Sequence, residues 1–238
     1  MDRQGNRPAV QNHRGGDPHH RPDRAGNPGL ALIMTNFEIL QLPVGRSDNF
    51  TYLVWCPETR EAMVVDPGFA PELLLEAAAE RGLDIRILAN THGHRDHIAG
   101  NNAIHSATGA VLTAHPSDIP HAQQPLGNGS LILLGNGRIE SLHTPGHTPG
   151  SVIFRVGDAI ITGDTLFVSR CGRADLPGGD VKRLYHSLQR IKQLPPETLV
   201  YPGHDYGPTP TSTIAWELEN NAFLNCPDLD SFIALRMG

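Results

Sequence analysis

The heptapeptide THGHRDH constrains what this chain can fold into more than any other part of its sequence. It places three histidines and one aspartate within six residues, directly after the apolar run 85–89, which predicts a buried strand. In an irregular turn, His92 and His94 can bend toward one cation while Asp96 and His97 face a second. A polar helix N-terminus capped by Asp96 is the alternative, but four donors packed this densely favour a metal site.

Three further donors stand beside glycines at the ends of predicted strands, in the segments TPGHTPG, TGDT and YPGHDY. They are His147, Asp164 and His204, and the glycines allow the backbones that carry them to approach closely. With the heptapeptide they make five histidines and two aspartates, enough for a pair of metals with one bridging carboxylate. Imidazole nitrogen and carboxylate oxygen therefore predict two divalent metal ions, with zinc as the first choice and iron or manganese also compatible.

The chain divides into an N-terminal tail and one α/β domain. Residues 1–33 are rich in polar residues, Gly and Pro and show no periodic apolar pattern, so a disordered tail is predicted there, followed by a folded domain over 34–238. Strands are predicted at 37–42, 51–56, 62–65, 85–89, 111–114, 131–134, 139–142, 152–156, 159–162 and 198–201, and helices at 71–82, 97–108, 180–192 and 211–224. This order predicts two β-rich halves packed face to face with helices outside.

Composition argues against several classes of protein. No apolar run approaches the ~18–20 residues needed to span a bilayer, so no membrane partner is expected. The formal net charge of -6 argues against a nucleic-acid partner. Three widely spaced cysteines do not form the pattern of a disulfide scaffold and favour a reducing compartment, which predicts a cytoplasmic protein. Among them, Cys171 lacks the histidine and asparagine order of a cysteine hydrolase, so a nucleophilic role is disfavoured.

The segments THGHRDH, TPGHT, TGDTLF and YPGHD, in this order, resemble the motif set of the metallo-β-lactamase superfamily, and VVDPG at 64–68 resembles its first motif. The resemblance runs from about Met34 to the C-terminus and implies a four-layer αββα sandwich, with the metals at one edge between the sheets. It implies His92, His94 and His147 as ligands of the first metal, Asp96, His97 and His204 as ligands of the second, and Asp164 as the bridge. Asp66 would hold a ligand histidine by a hydrogen bond, and Asp96 would add a catalytic role by orienting the hydroxide.

Within the superfamily, the segment SRCGR at 169–173 resembles the glyoxalase II branch, the hydroxyacylglutathione hydrolases, and their relatives. This resemblance implies a dinuclear metal-dependent hydrolase that cleaves a small-molecule thioester, such as an acyl-glutathione, through a metal-bound hydroxide. In that branch, the residues matching Arg173 and Tyr206 contact the glutathione part of the substrate.

A second related branch, the persulfide dioxygenases, implies a different enzyme, in which one non-haem iron is held by residues matching His92, His147 and Asp164. The chain also departs from glyoxalase II, whose longer C-terminal helical region supplies basic groups for glutathione. Only 34 residues follow His204, and Arg236 is their one basic residue. The sequence therefore leaves open whether glutathione is the carrier, and it leaves open lactone, phosphodiester and β-lactam substrates and a homodimer.

Overall fold

Two six-stranded β-sheets form the framework of the computed structural model, which describes residues 36–45 and 48–238. The first sheet contains, in spatial order, β1 (Glu38–Val44), β2 (Asn49–Trp55), β3 (Glu61–Val65), β4 (Asp84–Ala89), β5 (Val111–Ala114) and β6 (Gln124–Pro125). The second contains β7 (Ser130–Leu134), β8 (Gly137–His143), β9 (Val152–Val156), β10 (Ala159–Gly163), β13 (Leu199–Pro202) and β14 (Ser212–Thr213), in the order β14-β13-β10-β9-β8-β7. Strands β11 (Leu166–Phe167) and β12 (Arg170–Cys171) pair as a small hairpin. The helices are α1 (Pro71–Glu80), α2 (Arg95–Ile98), α3 (Asn101–Thr108), α4 (Val181–Ile191), α5 (Ile214–Asn220) and α6 (Leu229–Met237).

Parallel pairing brings the ends of several strands to one edge of the sandwich. Strand β4 runs parallel to β3 and β5 in the first sheet, and β10 runs parallel to β13 in the second. The two sheets are joined at this edge, where the Phe50 N–H donates to the Gly203 carbonyl over 2.8 Å and Asn49 forms an isolated bridge with His204. The loops that leave β4, β10 and β13 therefore meet there.

The burial pattern of β2 shows why the chain forms layers. All seven residues of β2 are buried, which requires cover on both faces of the strand. Phe50, Tyr52 and Val54 point into a core between the sheets, where they meet side chains of the second sheet such as Phe154. The alternate residue Leu53 points to the other face, where it packs in a second core that includes Leu74 of α1.

A third core covers the outer face of the second sheet. Leu184, Leu188 and Ile191 recur at helical spacing on α4 and pack with Phe232 of α6. Asp180 begins α4, because its side chain accepts hydrogen bonds from two backbone N–H groups of the first turn. Helices thus cover both outer faces, which confirms the predicted four-layer αββα sandwich of the α/β class.

Several predicted boundaries were wrong, for local reasons. The helix predicted at 97–108 is two helices, α2 and α3, separated by Ala99 and Gly100. A Cβ atom at Gly100 would lie 2.9 Å from the Gly68 carbonyl oxygen, so the close approach of this backbone requires glycine there. The helix predicted at 211–224 begins at Ile214, since Thr213 caps it by accepting from the Trp216 N–H. Helix α6 and the two-residue strands β6, β11, β12 and β14 were not predicted.

The predicted tail at 1–33, together with its boundary at Met34, lies outside the described residues. Among residues 36–45 and 48–238, no helix combines the length and apolar character that a bilayer crossing requires.

Candidate metal centre

Seven donor side chains meet at the edge where the strand ends converge. His92 and His94 follow β4, and Asp96 and His97 lie in α2, which begins immediately afterwards. The other three lie in loops of the second sheet: His147 between β8 and β9, Asp164 directly after β10, and His204 after β13. The fold therefore brings together all seven residues that the sequence singled out as donors, from both sheets.

The first donor group contains His92, His94, His147 and Asp164. The Nδ1 atom of His94 lies 3.1 Å from His92 Nε2 and 2.9 Å from His147 Nε2. Oδ2 of Asp164 lies 3.4 Å from His147 Nε2 and 4.0 Å from His92 Nε2. Three ring nitrogens and one carboxylate oxygen therefore surround a common point.

The second donor group contains Asp96, His97 and His204. The Nε2 atoms of its two histidines are 3.2 Å apart, and Asp96 Oδ2 lies 3.6 Å from that of His97 and 3.5 Å from that of His204. Asp164 also reaches this group, since its Oδ1 is 3.3 Å from His97 and its Oδ2 is 3.4 Å from His204. One carboxylate thus faces both groups, as a bridge would.

For three of the five donor histidines, a hydrogen bond on the far side of the ring fixes which nitrogen carries the proton when the ring is neutral. His97 Nδ1 donates to Asp66 Oδ2 over 3.0 Å, and His147 Nδ1 donates to the Arg173 carbonyl oxygen over 2.8 Å. His92 Nδ1 lies 3.1 Å from Thr91 Oγ1, whose own proton goes to Asp66, so Thr91 accepts from His92. The Nε2 lone pairs of all three rings therefore point into the donor groups.

Lone pairs that face one another at about 3 Å repel, so the arrangement needs a positive charge between them. Oδ1 of Asp164 is also buried without a hydrogen-bond donor among the described residues. Nitrogen and oxygen donors in these two groups fit divalent cations, and the chemistry of the donor set supports the use of a divalent metal.

The electrostatics of the site agree with this interpretation. Burial lowers the pKa of His92 well below its ordinary value, with His97 adding to the effect, so the His92 ring is neutral and able to act as a ligand. Burial also lowers the pKa of His94. At His97 burial acts in the same direction, but the carboxylates of Asp164 and Asp66 together outweigh it and raise the pKa well above the ordinary value. The position between these carboxylates is therefore electronegative and favours any cation.

A pocket adjoins the second donor group. Its lining residues are Phe167, Arg170, Cys171, Arg173, Tyr206, Phe223 and Arg236. The Tyr206 ring stacks on the His204 ring, with centroids 4.6 Å apart and planes 8° from parallel, so one wall of the pocket contacts a donor ring. The guanidinium of Arg173, one of the two predicted substrate contacts, forms a bidentate pair with Asp175 at 2.9 and 2.7 Å.

Sequence reasoning did not assign a role to Arg170, Arg236 or Asn49. Arg236 enters the pocket from α6, a helix that was not predicted, and Asn49 donates to Asp96 Oδ2 over 3.0 Å from the start of β2. No sequence motif marked either residue. Burial raises the pKa of the Cys171 thiol to about 12, which keeps it protonated and opposes a nucleophilic role.

Comparison with known proteins places this fold and site in a family. A family model described as the metallo-beta-lactamase superfamily matches residues 44–204. The hydroxyacylglutathione hydrolase of Rhodospirillum rubrum is 37% identical over 178 residues, which cover 73% of this chain and 68% of that protein. The human mitochondrial persulfide dioxygenase ETHE1 is 35% identical over 218 residues, which cover 86% of this chain and 81% of that protein.

Among solved structures, ETHE1 from Myxococcus xanthus superimposes with a TM-score of 0.81 at 33% identity, covering 84% of this chain and 90% of that one. The chain spans between 62% and 68% of the length of three hydroxyacylglutathione hydrolases that it matches. These relatives belong to both branches suggested by the sequence motifs. The two sheets, the matched family model and the two donor groups agree, and the chain belongs to the metallo-β-lactamase superfamily.

Proposed function

We propose that this chain is a dinuclear metal-dependent hydrolase that cleaves a small-molecule thioester such as an acyl-glutathione. The observation that carries the proposal is the presence of two adjacent donor groups with Asp164 facing both. In this proposal His92, His94 and His147 hold the first ion, Asp96, His97 and His204 hold the second, and Asp164 bridges them. Zinc is the first choice, with iron or manganese as alternatives. The hydroxyacylglutathione hydrolases among the relatives support the reaction class.

Residues around these ions have separate roles in the proposed reaction. When bound, two divalent cations polarise a substrate carbonyl and lower the pKa of water to about 7. Asp96 has the most exposed side chain of its donor group, at 30% against 1% for His97 and 4% for His204. It is therefore the donor that an attacking water meets, and its carboxylate orients that water, while Asn49 holds Asp96 in place.

The pocket beside Tyr206 suits an anionic thiol carrier. Arg173 and Tyr206 are its proposed substrate contacts, although the charge of Arg173 is shared with Asp175. Arg236 donates from Nε to the Gly172 carbonyl oxygen over 2.7 Å, which orients its guanidinium without neutralising it. Guanidinium groups bind carboxylates well, so Arg236 supplies a cationic partner that a glutathione carrier requires.

The test combines elemental analysis of the purified chain with an S-lactoylglutathione hydrolysis assay. We expect about two divalent ions per chain, and hydrolysis that is lost together with metal in the His147→Ala variant. The matched control is His186→Ala, because His186 is an exposed histidine on α4 outside both donor groups. A metal-loaded chain that hydrolyses no thioester would contradict the proposal.

A persulfide dioxygenase is the second candidate, and two observations favour it. His92, His147 and Asp164 form a two-histidine, one-carboxylate set, which is typical of mononuclear non-haem iron oxygenases. The human persulfide dioxygenase also aligns with more of this chain than the Rhodospirillum rubrum hydrolase does, at 86% against 73%. One iron per chain, with oxygen uptake and sulfite formation on glutathione persulfide and no thioester hydrolysis, would establish this alternative.

The remaining sequence predictions extend this proposal. We propose a cytoplasmic enzyme that acts on a small molecule, without a nucleic-acid or membrane partner, and the reducing environment inferred from its cysteines supports this location. A homodimer stays a prediction that size-exclusion chromatography with light scattering can test.

A further inference from the structure

Asp118 lies in the turn after β5, and its carboxylate joins two loops that are far apart in sequence. Its Oδ2 accepts from the Gly93 N–H over 2.9 Å and from the Thr148 hydroxyl over 2.6 Å. Its Oδ1 accepts from the Gly150 N–H over 2.7 Å. One half-buried side chain therefore makes three hydrogen bonds, each of which is strengthened by the negative charge of the acceptor.

These two loops carry the three histidines of the first donor group. Gly93 separates His92 from His94, and Thr148 directly follows His147. The loops approach each other at His94 Nδ1 and His147 Nε2, which are 2.9 Å apart, and a backbone hydrogen bond from Val152 N–H to the Thr91 carbonyl also joins them. Asp118 bonds the backbone on one side of the histidine pair and a side chain on the other. The carboxylate is therefore placed to influence the spacing of these ring nitrogens.

Two glycines leave room for this carboxylate. A Cβ atom added at Gly93 would lie 3.1 Å from Asp118 Cβ, and one added at Gly150 would lie 2.6 Å from Asp118 Cγ. Neither glycine is among the residues with positive φ, so close approach, rather than backbone conformation, explains glycine at both positions. The two motifs that hold the histidines thus also contain the space for Asp118.

We propose that Asp118 is a positioning residue for the first metal: it sets the distance between the loop of His92 and His94 and the loop of His147. The second donor group has its own carboxylate, since Asp66 holds His97. The inference rests on the proposed metal-dependent function and adds a second supporting carboxylate, one that joins the loops of the first donor group. Asp66 contacts His97 directly and reaches His92 only through Thr91. The Asp118→Asn substitution would turn an amide N–H₂ toward at least one N–H donor, so the loops would separate.

The test measures zinc affinity by competition with a chelator, with each donor group studied alone. His204→Ala removes a donor of the second group, and His147→Ala removes a donor of the first. In the His204→Ala chain, we expect Asp118→Asn to weaken zinc binding at least about tenfold, the scale typical of residues that support metal ligands. In the His147→Ala chain, the same change should alter zinc affinity less than about twofold.

Two further variants complete the design. Gly150→Ala keeps the carboxylate but displaces it, so it should reproduce the loss in the His204→Ala chain even where Asp118→Asn does not fold. Asp228→Asn is the matched control, because Asp228 also accepts a backbone N–H but does so at the start of α6. Its zinc affinity should equal that of the parent chain.

The outcomes separate this inference from the proposed function. Equal losses in both backgrounds, or an unchanged affinity in the His204→Ala chain, would overturn the role of Asp118 and leave the metal-dependent function standing. A wild-type chain that binds no zinc, iron or manganese would overturn the proposed function and the inference with it.

Discussion

Replacing Asp66 with Asn tests the support of the second donor group most directly. Asp66 has a φ of 51°, a left-handed conformation that Asn adopts more readily than most residues, so the backbone can stay in place. Its Oδ1 accepts from the Thr91 N–H over 2.8 Å, and its Oδ2 accepts from the Thr91 hydroxyl over 2.6 Å and from His97 Nδ1 over 3.0 Å. An amide has only one oxygen, so one of these positions becomes a donor.

The cost follows from that exchange. With the amide oxygen facing the Thr91 N–H, the N–H₂ group faces His97, which must then move its proton to Nε2, inside the donor group. A hydrogen bond to a charged partner contributes about 1.5–3 kcal/mol, and about 1.4 kcal/mol corresponds to a factor of ten in binding. We therefore expect Asp66→Asn to weaken zinc binding about tenfold to hundredfold, at the donor group of His97 directly and at the donor group of His92 through the Thr91 hydroxyl.

Chelator competition, read as two stepwise zinc affinities, measures this change, and urea unfolding of the metal-free chain separates it from a general loss of stability. Asp84→Asn is the matched control, since Asp84 is an exposed aspartate whose ion pair with Arg86 spans 3.5 Å. Two affinities within about twofold of wild type in Asp66→Asn would refute the reasoning.

Three further predictions follow from the pocket and its surroundings. Arg236→Gln should raise KM for an anionic thioester at least about tenfold with little change in kcat, whereas the exposed control Arg138→Gln should change neither; an equal fall in kcat in both variants would count against the assignment. Burial raises the pKa of Glu217 above its ordinary value of 4.5. The protonated side chain therefore contributes its full share to the free energy of unfolding below pH 4.5, and this contribution is lost as the pH rises through the raised pKa of the folded chain. The Glu217→Gln variant should lack this decline in urea unfolding across the acid range, and a parallel pH profile would contradict the prediction. Because burial raises the pKa of the Cys171 thiol to about 12, iodoacetamide at pH 8 should react with Cys226 before Cys171, as measured by mass spectrometry of the peptides. Faster labelling of Cys171 would contradict its burial as a protonated thiol.

Much of the framework could be predicted because it depends on local patterns. The continuous apolar run at 85–89 identified β4, and the donors of THGHRDH identified the site that follows it. Pro71 and Gly82 bounded α1 closely, since proline favours a first helical turn and Gly82 takes a positive φ of 60° after the last turn. These features carry their information within a few residues of sequence.

The rest depends on contacts between distant segments. Asp118 stands in a polar turn, and nothing near it in sequence shows that its carboxylate reaches Gly93 and Gly150. Arg236 reaches the pocket only because α6 packs against α4 through Phe232, a contact in the third core. The need for glycine at position 100 likewise reflects the backbone of Gly68, which is distant in sequence. Tertiary packing therefore determines these features, and sequence periodicity could not predict them.

The origin of the donors in both sheets has a mechanical consequence. Neither half of the sandwich contains a complete donor group. The first group has two histidines from the loop after β4 and its other donors from the second half. The second group has Asp96 and His97 from the first half and His204 from the second, with Asp164 of the second half facing it. An ion bound in either group would therefore cross-link one half of the protein to the other. By mass action, an ion that binds only when the two halves are packed together stabilises the folded chain. The free energy of unfolding would therefore rise with the concentration of the metal.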